Sequence, residues 1–182
     1  MTFEALAQQG QTTVYQSLVA SIGPKIRDIR KEFIKESFYG FQHVEHRLES
    51  VAVIKNIDFI NDSQSSTLNS TWFALESVSR PIIWIVGGVE SGNDYSTLRH
   101  LVRTKVKGMI CLGLETSRIH EAFEELNIPV LDAYSMDEAV QAAYLMGNHG
   151  DAVLLSPACP SFDLFKDFEE RGNAFRKAVK NL

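Results

Sequence analysis

The chain has 182 residues, 45% of them hydrophobic and 23% charged, and its 18 Lys and Arg against 23 Asp and Glu leave a formal charge of -5. That length suits one well-buried domain with an appendage, and the composition excludes a disordered or fibrous protein. A net acidic chain lacks the basic face that non-specific nucleic-acid binding needs, and apolar runs such as 82–86 are far too short to cross a membrane.

Residues 1–42 read as a helical segment broken at Gly23-Pro24, with Val14, Leu18 and Ile22 on one stripe and Ile26, Ile29, Phe33 and Ile34 on another. Residues 43–182 then form the main domain. Val51 to Lys55 and Phe59-Ile60 predict a leading β-hairpin, turned at Asn56-Ile57-Asp58. From there amphipathic helices alternate with short apolar strands. Helices are expected over 67–79, 95–106, 117–126, 136–146 and 163–182, and strands over 82–86, 109–112, 130–131 and 152–155. On the last helix Phe162, Phe165, Phe168, Phe175, Val179 and Leu182 make one stripe. Continuous apolar strands between amphipathic helices mean a mostly parallel sheet covered on both faces, so the fold class is α/β, Rossmann-like, with a leading hairpin.

Ligands of such sheets sit beyond the carboxyl ends of strands. Three turns there carry candidate chemistry: 61–71, 87–94 and 156–163. The first, Asn-Asp-Ser-Gln-Ser-Ser-Thr-Leu-Asn-Ser-Thr, is crowded with short polar side chains between a strand and a helix. Such a turn either caps the helix or binds an anion on unpaired N–H groups. The Gly87-Gly88 turn lacks the G-x-G-x-x-G spacing of a dinucleotide fingerprint, and no Gly-Lys pair exists for a P-loop. Cys159 in Ser156-Pro157-Ala158-Cys159 has no recognisable base, which favours a buried thiol over a nucleophile. Cys111 and Cys159 lack metal or disulfide spacing, and the five histidines lack i, i+4 pairing, so no metal site is expected. Unpaired cysteines and the lack of a basic-then-apolar leader point to a cytoplasmic chain.

Several of these stretches together resemble one family. His46-Arg47-Leu48-Glu49, Phe59-Ile60-Asn61-Asp62-Ser63, Gly87-Gly88, Leu154-Leu155-Ser156-Pro157-Ala158-Cys159, Phe165 and Arg171-Gly172-Asn173 occur in the order and spacing of the Mur ligases. The likeness is to the branch that adds D-glutamate, with 1–42 resembling the end of the central ATPase domain and 43–182 the C-terminal domain. The resemblance implies an ATP-dependent ligase of peptidoglycan synthesis. ATP phosphorylates the carboxylate of UDP-MurNAc-L-alanine, and the amine of D-glutamate attacks the acyl phosphate, releasing ADP and phosphate. Magnesium and the P-loop belong to the central domain, so an isolated chain of this kind is expected to be inactive and to hold no cofactor tightly. No residue of the chain is assigned a catalytic role. Arg47, Asp62 and Gln64 match positions that meet ATP, Asp62 towards the ribose hydroxyls. Ser66, Ser91, Ser161, Phe162 and Phe168 match positions that hold the amino-acid substrate.

The same comparison exposes departures. Where the family has Asn-Asp-Ser-Lys-Ala-Thr-Asn, this chain places Gln64 at the lysine, Ser66 at the threonine and Thr67 at the last asparagine. Ser91 replaces a second lysine, Thr12-Thr13-Val14-Tyr15-Gln16 replaces an adenine contact, and Pro160 replaces an alanine and removes a backbone donor. A charge-assisted hydrogen bond is worth roughly 1.5–3 kcal/mol, so each lost lysine weakens an anion contact about ten- to a hundredfold. Two functions follow as expectations: the C-terminal domain of a working ligase, or a degenerate ligase-like domain serving as a binding or interaction module.

Overall fold

The computed structural model describes residues 45–90 and 92–182, all within the unit Val44–Leu182. The helical expectations for 1–42, and the candidate Ser91, lie outside the described residues.

Strands β1 (Glu49–Ile54) and β2 (Ile57–Asn61) form the leading antiparallel hairpin. Its turn is Lys55-Asn56, with φ of 48° and 62°, the two left-handed residues of a type I′ turn. The expected turn at Asn56-Ile57-Asp58 is therefore corrected. Ile57, Phe59 and Asn61 alternate as buried positions, and that burial draws Ile57 and Asp58 into the strand.

The chain continues through α1 (Leu68–Ser77), β3 (Ile82–Gly87), a 3-10 turn Tyr95–Leu98 running into α2 (Arg99–Lys105), and β4 (Val106–Leu112). Next come α3 (Ser117–Phe123) with a 3-10 turn Glu124–Leu126, β5 (Val130–Ala133), α4 (Met136–Met146), β6 (Ala152–Ala158) and α5 (Phe168–Lys180). The sheet order is β1-β2-β6-β3-β4-β5, and every pairing except β1 with β2 is parallel.

Strand periodicity sorts the apolar side chains into two cores. Ile82, Trp84, Val86, Met109, Cys111 and Leu154 face one layer, with Leu75 of α1, Val102 of α2 and Phe123 of α3. Ile83, Ile85, Ile110, Leu112, Val153 and Leu155 face the other, with Val140 of α4 and Phe175 of α5. This is why β3 and β6 are buried throughout and read as continuous apolar runs. The Rossmann-like α/β class expected from the sequence is the one observed.

Side chains set the helix starts. Thr67, Ser135 and Asp167 are the N-caps of α1, α4 and α5, each accepting from the backbone N–H three residues on. The cap on Asp167 corrects the expected start of the last helix. Asp167 is extended, and Leu164 N and Phe165 N bond instead to Ser161 O, so 163–167 is a loop. The buried residues of α5 are Arg171, Gly172, Phe175, Ala178 and Val179, whereas Phe162 is 73% and Leu182 38% exposed. Neither belongs to the buried stripe. Strand β6 also runs three residues beyond its expected end, which takes Ser156, Pro157 and Ala158 out of the loop.

Candidate functional site

Because β2, β6 and β3 are parallel neighbours, the loops 62–67, 159–167 and 88–94 leave the same edge of the sheet. Backbone bonds join them. Asp62 N donates to Leu155 O at 2.8 Å, Ala158 N to Ser65 O at 3.0 Å and Val89 N to Pro160 O at 2.9 Å. Asn93 Nδ2 donates to Ala158 O at 3.2 Å.

The polar side chains of the first loop turn inward. Asn61, Asp62, Ser63 and Ser65 are all buried. Asn61 Nδ2 reaches His46 Nδ1 at 2.9 Å, Glu49 Oε2 at 3.2 Å and Gly172 O at 3.3 Å. Glu49 also accepts from His46 N and from Arg176 Nε. Burial holds the His46 imidazole below its ordinary value, with Arg176 adding to the effect. The His46 ring occupies the space a Cβ on Gly172 would take, so the glycine is needed for α5 to pass this close.

Asp62 is 1% exposed. Its Oδ1 accepts from Leu48 N at 3.2 Å and its Oδ2 from Ser156 Oγ at 2.8 Å. Burial pushes the carboxyl up to about 6 despite hydrogen bonds from Ser65, Ser156 and Leu48 and the nearby Arg47 charge. The Leu48 bond fixes the residue next to Arg47, itself half-buried, in a turn where His46 and Leu48 have φ of 60° and 45°.

Arg171 joins the loops. It is 1% exposed. Its Nε donates to Ser63 Oγ at 3.1 Å, Nη2 to Ser63 O at 2.9 Å and to Ser66 Oγ at 3.3 Å, and Nη1 to Cys159 O at 2.9 Å. Every one of these acceptors is neutral. Burial lowers the guanidinium to about 10, which leaves it a cation at neutral pH. A desolvated positive charge held only by hydroxyl and carbonyl oxygens makes this edge favourable to anions. Arg171 belongs to a motif legible in the sequence but was assigned no role there. The signal was a charged residue in register with Phe175 on the buried stripe of an amphipathic helix.

The third loop is shaped by backbone. Gly87 and Gly88 have φ of 131° and 133°, which side chains rarely adopt, and a Cβ would collide with Leu112 O at Gly87 and with Pro160 O at Gly88. Glu90 closes the turn by accepting from Gly92 N and Asn93 N and pairing with Arg118 Nη1 at 2.8 Å. Cys159 is buried beside Tyr95 Oη at 3.3 Å, and burial pushes its thiol up, consistent with a packing role.

The remaining predicted residues take diverse positions. Gln64 is exposed and Ser66 half-buried on the first loop. Ser161 is 3% exposed, Phe162 projects into solvent, and Phe168, half-buried, opens α5 with its ring edge-on to His46. A cleft of about 280 Å³ borders the third loop, lined by Asn93 and Asp94 together with Tyr95, Arg99, Arg118 and Glu121, and takes in none of the described candidates. The geometry of the three loops, rather than that cleft, is the better guide to chemistry.

The family model for the Mur ligase glutamate ligase domain matches residues 46–159. The chain belongs to this family. The UDP-N-acetylmuramoylalanine--D-glutamate ligase of Porphyromonas gingivalis is 46% identical over 182 residues, and that of Christiangramia forsetii 47%. Both matches cover 100% of this chain but only 40% and 41% of those ligases. The chain thus spans about two fifths of the length of the curated relatives it matches. Among solved structures, a murein peptide ligase from Psychrobacter arcticus superposes with a TM-score of 0.53 at 14% identity, covering 75% of this chain and 30% of that one. A bifunctional folylpolyglutamate synthase/dihydrofolate synthase from Yersinia pestis gives 0.52 at 14%, covering 76% and 32%. These last two show that the Mur ligase chain shares its fold with them.

Proposed function

We propose that this chain is the C-terminal domain of an ATP-dependent ligase that joins D-glutamate to UDP-MurNAc-L-alanine in peptidoglycan synthesis, working in the cytoplasm. On this reading residues 1–42 belong to the end of a central ATPase domain, and turnover requires the rest of the ligase. The reading is supported by the D-glutamate ligases that match the chain end to end. The observation that carries it is Arg171, a buried cation tying together the loops that would meet an acyl phosphate and a dicarboxylic amino acid. Among the described residues no helix is long and apolar enough to cross a membrane.

On this reading Arg47, Asp62 and Gln64 face the nucleotide, and Ser66, Ser91, Ser161, Phe162 and Phe168 face the amino acid. Exposed Gln64 can donate to a phosphate without charge. Asp62 has a lone pair beyond those its hydrogen bonds from Leu48, Ser65 and Ser156 use, but it is 1% exposed, so a ribose contact would require its surroundings to open. No carboxylate of this edge is assigned to magnesium on this reading; Asp62, Asp163 and Asp167 serve as acceptors for Leu48 N and Ser156 Oγ, for Leu164 N, and for Glu170 N respectively. The ion belongs with the central domain.

The test is ADP release by a ligase containing this chain, with UDP-MurNAc-L-alanine and a panel of amino acids. Release that depends on both the nucleotide-sugar and D-glutamate is expected. Release with another amino acid and not with D-glutamate would overturn the substrate assignment. No release with any amino acid, from a folded ligase, would favour the binding-module reading motivated by Gln64 and Ser91.

A further inference from the structure

A second constellation lies at the other flank of the sheet and takes no part in the proposed ligase chemistry. Cys111 of β4 and Asp132 of β5 are register partners on adjacent parallel strands, so their side chains leave the same face. Cys111 shares a core with Ile119 and Phe123 of α3, the helix that also carries His120. His120 Nε2 lies 2.9 Å from Asp132 Oδ1. One sulfur, one imidazole nitrogen and one carboxylate oxygen lie within 4.8 Å of one another.

We propose that Cys111, His120 and Asp132 form a transition-metal site suited to Zn²⁺, with three protein ligands and a fourth position open to solvent. The donor set is the argument. Thiolate, imidazole and carboxylate are the three ligand types zinc takes, at about 2.0–2.3 Å, and ligand atoms this close can converge on one ion with small side-chain adjustments. A mixed sulfur, nitrogen and oxygen set selects zinc over magnesium or calcium, which want oxygen alone. Access is provided as well: Cys111 is fully buried, while the side chains of His120 and Asp132 are 39% and 38% exposed and form the solvent side. On binding, the dication displaces the thiol proton to solvent. Thr116 Oγ1 donates to Asp132 Oδ1 at 2.8 Å, the kind of outer hydrogen bond that orients a carboxylate ligand.

The His120–Asp132 hydrogen bond alone gives little reason for this arrangement, since an exposed contact of this kind is worth at most about 1 kcal/mol. A bound ion would clip the four-residue edge strand β5 to both β4 and α3. The expectation of no metal site rested on the spacing of the two cysteines and on histidine spacing within one helix. Here the donors come from two strands and a helix, which such spacing does not detect.

The test is titration of the 182-residue chain, kept reduced with a non-chelating reagent, with Co²⁺ as the spectroscopic probe. One equivalent should produce a near-ultraviolet sulfur-to-cobalt charge-transfer band with tetrahedral d–d absorption, both erased by one equivalent of Zn²⁺. His120→Gln and Asp132→Asn, at half-exposed positions that tolerate change, should each weaken binding about tenfold or more, and Thr116→Val about tenfold. Cys111→Ser should abolish the charge-transfer band although Cys159 remains. The proposal is overturned if no such band forms at stoichiometric cobalt, if the band survives Cys111→Ser, or if the folded His120→Gln chain binds as tightly as the parent.

Discussion

The two loops that follow β2 and β3 solve the same problem by opposite means. After β2 the chain is held by side chains: Asn61, Asp62 and Ser63 turn inward and bond to the 46–48 turn, to β6 and to α5. After β3 it leaves the sheet through missing side chains, since Gly87 and Gly88 let the backbone pass against Leu112 and Pro160, and only further on does the Glu90 carboxylate close the turn. A polar turn is therefore not automatically a ligand-facing turn. Short polar residues beside a buried strand satisfy backbone and side-chain groups first, and the residues beyond them, Gln64, Ser66 and Thr67, reach the surface.

Breaking the first loop at its centre should have the largest effect. Arg171→Leu strands the carbonyls of Ser63 and Cys159, takes one of its two partners from the Ser63 hydroxyl, which still donates to Phe168 O, and should cost about 3–5 kcal/mol in urea unfolding. A loss below about 1 kcal/mol would mean the guanidinium does not hold the loops together.

Asp62 tests whether the inward carboxylate carries the pH dependence of that loop. Its folded value of about 6 lies above the ordinary 3.8, so its protonated form favours the fold. That contribution is complete below about pH 4 and is lost as pH rises through 6, by at most about 3 kcal/mol. Stability measured relative to Asp62→Asn should therefore fall between pH 4 and 7. A difference that is flat with pH would refute the burial account.

On the glycine side, Gly88→Ala should cost about 2–3 kcal/mol, from the positive φ and the collision with Pro160 O together. Gly92 also has a positive φ, 82°, but open space around it, so Gly92→Ala should cost less. Equal losses at the two positions would mean that φ alone, and not the close approach, sets the demand for glycine. The smallest change should come from Thr67→Ala, which removes the side-chain cap on Ser70 N at about 1 kcal/mol while the reciprocal bond from the backbone N–H of residue 67 to Ser70 Oγ remains.

Local pattern by itself determined the alternation of strands and helices, the parallel sheet with its leading hairpin and the glycine turn. Each of these depends on residues a few positions apart, where periodicity, caps and φ preferences act. The start of α5 was misread because the spacing of Phe162 and Phe165 continues a helical stripe, while the Asp167 cap and the Ser161 carbonyl stop it. Only the tertiary structure decided that Asp62 is an internal acceptor, that Arg171 is a buried cross-link and that Cys111, His120 and Asp132 meet. The partners of the first two lie 94 and 108 residues away, as with Ser156 for Asp62 and Ser63 for Arg171. Whether a polar group faces solvent or another polar group depends on which strands become neighbours, and the placement of β6 between β2 and β3 fixed that.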